Sequence, residues 1–385
     1  MKFNIKKLCA MMLILTIMFS VFGTSAINAK ETNENDVVCQ AEQTFTSTSD
    51  KETAQYIGAT GNDKIGTGGE PDSTKVISSL EDYNNLINKS GSSKKELAAT
   101  SAQDIPDSVD NSQKKYFPEI GNQGSLGSCT CWAQVYYQFT YMMNRDLDIK
   151  TTKDNTYSPQ WSYNIIAGPE GSIGPYYDTY SFMMKQGNVF LSQVPYTQDT
   201  SSFSPSEEVW MTSIKNRIDS FYKFEDIGKD ASKVTSPDDE DLAPIKAALA
   251  NGEVLAYSTH ISSWTDTKLK TNASAPENSK YKDEYAAVAQ IGREGGHRMT
   301  IVGYNDNLWI DINNNDKVDN GEMGALKIAN SWGDGYGNKG FAWVAYDALN
   351  AVSCVEGVKE ESKREPIFTE IAGIKVLKQA TKADL

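Results

Sequence analysis

The chain of 385 residues contains two histidines, His260 and His297, and five cysteines, Cys9, Cys39, Cys129, Cys131 and Cys354, so its options for nucleophilic and acid–base chemistry are few. A thiol with a reference pKa near 8.5 is only slightly ionised at neutral pH. A nucleophilic cysteine therefore needs a helix N-terminus, a cationic neighbour, or both. The context of Cys129 predicts the first of these. Gly121-Asn122-Gln123-Gly124-Ser125-Leu126-Gly127-Ser128 is a turn-forming loop, and Cys129 to Arg145 then runs without Gly or Pro. Ala133, Tyr136, Tyr137, Phe139 and Tyr141 give that run a broad apolar face, which predicts a helix opening on Cys129. Cys131 lies two residues further on, about 200° around the helix, so both thiols cannot face one cleft. The cysteines are too sparse for a disulfide framework, and with two histidines a Cys/His zinc site has little support.

A second pattern involves oxygen. Asp311-Ile312-Asn313-Asn314-Asn315-Asp316-Lys317-Val318-Asp319-Asn320-Gly321-Glu322 places side-chain oxygens at loop positions 1, 3, 5, 9 and 12 and the apolar Val318 at position 8. This is the ligand spacing of an EF-hand-like calcium loop, with Asp311, Asn313, Asn315, Asp319 and Glu322 as side-chain donors and Lys317 at the position of the backbone carbonyl. Asp316 stands where Gly is usual, and Asp tolerates the left-handed backbone better than most residues. The flanks read as strands, so an isolated loop holding a structural Ca2+ is expected.

The elements that must position these groups follow from periodicity. Val254–Tyr257, Met299–Tyr304 and Ala325–Ala329 read as strands. Asp238-Asp239-Glu240-Asp241 precedes Pro244-Ile245-Lys246-Ala247-Ala248-Leu249 and Gly252. That acidic run reads as a solvated helix start complementing the dipole, not as a metal site.

Three blocks carry a resemblance. Gln123-Gly124-Ser125-Leu126-Gly127-Ser128-Cys129, Gly296-His297-Arg298-Met299-Thr300-Ile301-Val302-Gly303-Tyr304 and Asn330-Ser331-Trp332-Gly333-Asp334-Gly335-Tyr336-Gly337 resemble the active-site segments of papain-family cysteine peptidases, in the family's order of Cys, His and Asn. Weaker likeness runs from Ile105-Pro106 to Phe341-Ala342-Trp343-Val344. The resemblance implies an α+β, papain-like two-lobe fold, with a helical lobe carrying the Cys and a β-barrel-like lobe carrying the His and Asn. It also implies a Cys129-His297-Asn330 triad and Gln123 as oxyanion donor beside the Cys129 N–H. Trp332 resembles the tryptophan that shields the Asn–His hydrogen bond from water. Cys131-Trp132 also mimics the family's Cys-Trp pair; the glutamine spacing and the Gly-Ser-Cys order favour Cys129. His260 lacks the Val-Gly-Tyr block that follows His297. The sequence departs from the family at Leu126, where many members have a structural cysteine, and at Arg298, where a small residue commonly edges the main specificity pocket.

The rest of the chain is framing. Lys2, Lys6 and Lys7 precede an apolar run from Leu8 to Phe22 and small residues at Gly23-Thr24-Ser25-Ala26, the order of a secretory signal over residues 1–29. Residues 30–104 are polar, read as a prosegment or disordered spacer, with one helical patch from Ser78 to Ile87. Residues 105–356 read as the packed domain and 357–385 as a charged C-terminal tail. Acidic residues outnumber basic ones 51 to 37, a net charge of -14, which argues against nucleic acid as a bulk partner. The expectation is a secreted, monomeric peptidase acting on proteins or peptides, off the membrane once the signal is cleaved. Two rivals are a catalytically silent papain-like binding or adhesion module and a cell-wall peptide hydrolase or acyltransferase. Intact Gln123, Cys129, His297 and Asn330 weigh against the first, and the Asn330-Ser331-Trp332-Gly333 block against the second.

Overall fold

The computed structural model describes residues 75–89, 99, 101–167, 176–200, 203–225, 227–228, 234–359 and 362–377. The expected signal over residues 1–29 and the prosegment stretch 30–74 lie outside them.

In chain order the elements are strand β1 (Lys75–Ile77), helix α1 (Leu80–Lys89), strand β2 (Ser108–Asp110) and then the long helix α2. Helix α2 begins as Cys129–Cys131, widens over Trp132–Phe139 and closes as Thr140–Asp146. Helices α3 (Pro159–Ile166), α4 (Tyr176–Lys185) and α5 (Glu207–Lys215) follow, then strand β3 (Ile218–Phe224) and helix α6 (Ala243–Ala250). The remaining strands are β4 (Leu255–His260), β5 (Trp264–Lys268), β6 (Tyr285–Ile291), β7 (Gly296–Trp309), β8 (Met323–Ala329), β9 (Phe341–Ala345), β10 (Arg364–Glu365) and β11 (Thr369–Val376).

Helix α2 is buried on every side from Cys129 through Asn144, which is why its apolar residues are not confined to a stripe. Its middle is π-helical, and Thr140 Oγ1 donates to the Val135 carbonyl five residues back at 3.3 Å. Thr300 Oγ1 on β7 donates to the Ala133 carbonyl at 3.1 Å. Gln138 Nε2 reaches the carbonyls of Val254 at 3.0 Å and Ala372 at 2.8 Å, so the helix is pinned to the sheet at three points.

The strands form one mixed sheet in the order β1-β3-β11-β4-β7-β8-β9-β6-β10, with β2 on β7 and β5 on β6. Antiparallel β4, β7 and β8 lie at its centre in the register Thr259↔His297 and Thr300↔Ala329. The architecture is the expected α+β, two-lobe arrangement, with α2 carrying Cys129, β7 carrying His297 and Asn330 directly following β8. No helix among the described residues is long and apolar enough to cross a membrane.

Two boundary expectations change. Residues 357–385 were expected as a charged tail, but Thr369–Val376 is strand β11, inserted between β3 and β4. Ile367, Phe368, Ile371, Ala372 and Ile374 are all buried. Charges at 359–365 set the texture of that stretch and hid the apolar alternation behind them. Gly373 is there because Tyr222 packs on its α-carbon; a Cβ would meet the phenol ring at 2.2 Å. At the other end, the helical patch of the polar stretch is α1, and Tyr83 within it is fully buried.

Candidate active site

Cys129 is the first residue of α2, following Ser128, and is 1% exposed. Backbone amides in the first turn of a helix have no carbonyl partner within it, and their dipoles favour a thiolate. The turn before it is held tightly. Gln123 is buried; its N–H donates to the Ser331 carbonyl at 2.7 Å, its Nε2 donates to the Leu126 carbonyl at 3.0 Å, and its Oε1 accepts from Ser331 Oγ at 2.8 Å. Tyr196 Oη donates to the Gln123 carbonyl at 2.7 Å and stands 2.6 Å from Ser128 Oγ. Gly121 admits the Trp132 ring, which a Cβ would meet at 2.0 Å.

The start of α2 packs on β7, the strand that carries His297 at its second position. His297 is 1% exposed. Its Nε2 lies 2.7 Å from Asn330 Oδ1, and the same oxygen accepts the Ser331 backbone N–H at 2.7 Å. That second donor identifies the atom as the amide oxygen, so Nε2 carries the ring proton and Nδ1 keeps its lone pair. Nδ1 is buried and has no hydrogen-bond partner. The Trp332 ring tilts across the imidazole with centroids 4.7 Å apart.

Burial depresses the His297 pKa to about 4, against a smaller opposing effect of the Asn330 bond; the Arg298 charge lowers it further. Arg298 itself faces Glu370 of β11, Nη2 to Oε2 3.8 Å, and Ser258 Oγ donates to the same carboxylate at 2.5 Å.

Tyr137 joins the two halves of the site. Its Oη accepts the Gly121 N–H at 3.0 Å and donates to the Asn330 carbonyl at 2.8 Å. Sequence reasoning named neither Tyr137, Tyr196 nor Ser331 as a positioning group, nor Glu370. Tyr137 enters the sequence reading only as part of the apolar face of its helix, although Ser331 lies within the Asn block.

The other candidates separate from the site. Cys131 is fully buried, and burial alone raises its thiol pKa far above the usual range. Cys354 is pushed up to about 12 by burial and by Asp347. Thr259, not His260, is the cross-strand partner of His297, so strand alternation sends the His260 side chain to the opposite face. Cys129 is disulfide-bonded, while Cys131 and Cys354 are free. A sulfur in a disulfide cannot attack a carbonyl, so Cys129 could act as a nucleophile only once reduced.

The oxygen-rich loop joins β7 to β8, with Asp311 and Glu322 buried at its ends. Asn314 and Asp316 have positive φ, 58° and 61°, placing Asp316 in the left-handed backbone expected of position 6. Asp311 Oδ1 accepts the Asn315 N–H at 3.0 Å, and Glu322 Oε1 accepts the Ile312 N–H at 2.8 Å. Asn313 and Asn315 both donate to Asp319, at 2.8 and 2.6 Å. Lys317 donates its N–H to Asn315 Oδ1 at 2.8 Å. Lys270 Nζ bridges Asp311 at 2.5 Å and Asp316 at 2.8 Å. Among the described residues no group of three or more His, Cys, Asp or Glu side chains is gathered to hold a metal ion.

A sequence model described as papain family cysteine protease matches residues 105–359. No curated protein matches the chain. Among solved structures, the chain is similar to xylellain, a cysteine protease from Xylella fastidiosa, at 17% identity and a TM-score of 0.47, covering 72% of this chain and 88% of that one. It is also similar to the digestive procathepsin L2 proteinase of Tenebrio molitor larval midgut, at 16% identity and a TM-score of 0.45, covering 79% and 76%.

Proposed function

Because the chain belongs to the papain family of cysteine proteases, we propose that it hydrolyses peptide bonds outside the cell through a Cys129 thioester, with His297 as base and then acid. The observation that carries this reading is the His297–Asn330 pair, which leaves Nδ1 as a buried, unpartnered base on the strand against which α2 begins. In the reduced enzyme Nδ1 takes the Cys129 thiol proton, and the thiolate attacks the scissile carbonyl. Negative charge then develops on the carbonyl oxygen. The Gln123 side-chain amide, held at its own oxygen by Ser331, and the Cys129 N–H are the donors assigned to it. The imidazolium gives its proton to the leaving amine. Water, deprotonated by the same nitrogen, then cleaves the thioester and restores the thiol. Asn330 keeps the ring in the tautomer that makes each transfer possible.

The test is hydrolysis of an unfolded protein and of wall peptides by reduced protein, comparing Cys129→Ala with Cys131→Ala. Loss of protein cleavage in the first variant alone supports the reading. Equal loss in both, or cleavage of wall peptides only, contradicts it. Secretion rests on the basic and apolar order of residues 1–29 and is checked by finding the chain in the culture medium.

The second part of the proposal is that the 311–322 loop takes a structural Ca2+. Its donor set suits a hard cation: carboxylates at Asp311, Asp319 and Glu322, amide oxygens at Asn313 and Asn315, and the Lys317 carbonyl. Lys270 on Asp311 and Asp316 indicates that this corner of the loop attracts positive charge. The ion would supply charge neutralisation and bracing between β7 and β8.

A further inference from the structure

The stretch beginning at Lys75 is built into the body of the protein. Strand β1 pairs in parallel with β3, Lys75↔Tyr222 to Ile77↔Phe224, and covers what would otherwise be an open sheet edge. Helix α1 turns Leu80, Tyr83 and Ile87 inward at spacings of three and four, and all three are buried in the same core cluster as Ala247, Ala248 and Leu249 of α6. Its start is locally encoded, since the Asp82 carboxylate accepts from the hydroxyls of Ser78 and Ser79, each at 3.0 Å. Ala99, Ala102 and Ile105 join the same cluster, and Asn84 Nδ2 donates to the Ala99 carbonyl at 2.7 Å.

The anchor is Tyr83. Its Oη donates to Glu253 Oε1 at 3.0 Å and accepts from Asn251 Nδ2 at 3.2 Å. Glu253 is wholly buried and is also held by the Tyr222 hydroxyl and by Lys375 Nζ at 2.9 Å. Withdrawing α1 would take a donor from a buried carboxylate and strip apolar cover from α6 and β3. This anchor is remote from the cleft. Glu253 precedes Thr259, the cross-strand partner of His297, by six residues, about 20 Å at the rise of a strand.

We infer that the segment from Lys75 onward is a permanent part of the catalytic unit, an intramolecular partner for the β3–α6 surface, so that N-terminal trimming stops before Lys75. The sequence pattern begins the packed domain at residue 105; the contacts of β1 and α1 extend it upstream.

The test takes the full chain, digests it with a nonspecific protease to its resistant core, and measures the mass of every polypeptide in the gel-filtration peak. Residues 75–89 are expected in that peak, whether still joined to the domain or nicked from it. A core beginning after residue 100 and lacking them overturns the inference. In the undigested chain, Tyr83→Ala is expected to lower Tm by about 5 °C or more, as for a large side chain removed from a core, while Glu81→Ala at an exposed position of the same helix leaves it unchanged. Equal melting temperatures for Tyr83→Ala and wild type also overturn it. Mass and Tm do not depend on peptide hydrolysis, so these outcomes stand apart from the proposed activity.

Discussion

Asn330 Oδ1 receives two hydrogen bonds at 2.7 Å, one from His297 Nε2 and one from the Ser331 backbone N–H. That double contact sets which ring nitrogen of His297 carries the proton. Asn330→Ala removes the acceptor, so Nε2–H loses its partner and the ring loses its tautomer preference. The expected result is a fall in kcat/KM of ~10²-fold, the lower range for disabling general acid–base catalysis, with KM little changed. Steady-state assays on one peptide substrate check it, and a change confined to KM would contradict it.

Reduction should switch the protein on. Because Cys129 is disulfide-bonded here, protein purified without reductant is expected to be inactive and unlabelled by iodoacetamide at Cys129. Dithiothreitol should restore both activity and labelling at that residue, leaving Cys131 slow because its buried thiol resists ionisation. Peptide mapping after alkylation decides the matter. Preferential labelling of Cys131 would contradict the assignment.

The pH response of stability follows from His297. In the disulfide form its pKa lies at about 4, below the unfolded value of 6.5. A depressed histidine contributes no penalty above pH 6.5; as pH falls from there toward 4 the unfolded chain binds the proton first, and folded stability is lost. The 2.5-unit gap corresponds to about 3 kcal/mol. Urea unfolding at pH 7 and pH 4 should show a larger loss for wild type than for His297→Gln by that amount. With only two histidines, NMR titration can follow His297 directly. Reduction should raise its pKa, because the thiolate favours the imidazolium.

The Trp332 ring lies across the imidazole, centroids 4.7 Å apart, and is expected to hold water away from the His297–Asn330 bond. Trp332→Ala should bring the His297 pKa back toward 6.5, since solvent then reaches a ring whose shift comes first from burial. Activity should fall as the hydrogen bond is exposed to competition. An unchanged titration would count against the shielding role.

Calcium should raise Tm. At a concentration 100 times a Kd in the weak extracellular range the stabilisation is about 2.7 kcal/mol. Chelator should reverse it, and Asp311→Asn should abolish the response without unfolding the protein. A Tm that ignores both calcium and chelator would remove the bracing role.

The sequence alone was enough to place the candidate residues on their elements, because the relevant constraints are local. A Gly-rich loop ahead of an uninterrupted apolar run sets a cysteine on a helix start, and Cys129 is the first residue of α2. Strands predicted at Met299–Tyr304 and Ala325–Ala329 lie within β7 and β8, and the one predicted at Val254–Tyr257 overlaps β4 from Leu255 onward. Helix α6 likewise follows its acidic run. Such elements are dictated by residues near in sequence. Only the tertiary structure decided the rest. Thr369–Val376 reads as part of a tail until β3 and β4 are present to pair both its edges. Tyr83 reads as one aromatic in a polar stretch until Glu253, 170 residues away, supplies the buried carboxylate that it satisfies. Tyr137 becomes a clamp only when Gly121 and Asn330 meet at one hydroxyl. Burial and hydrogen-bond satisfaction depend on partners far apart in the chain, and no local pattern encodes which ones will meet.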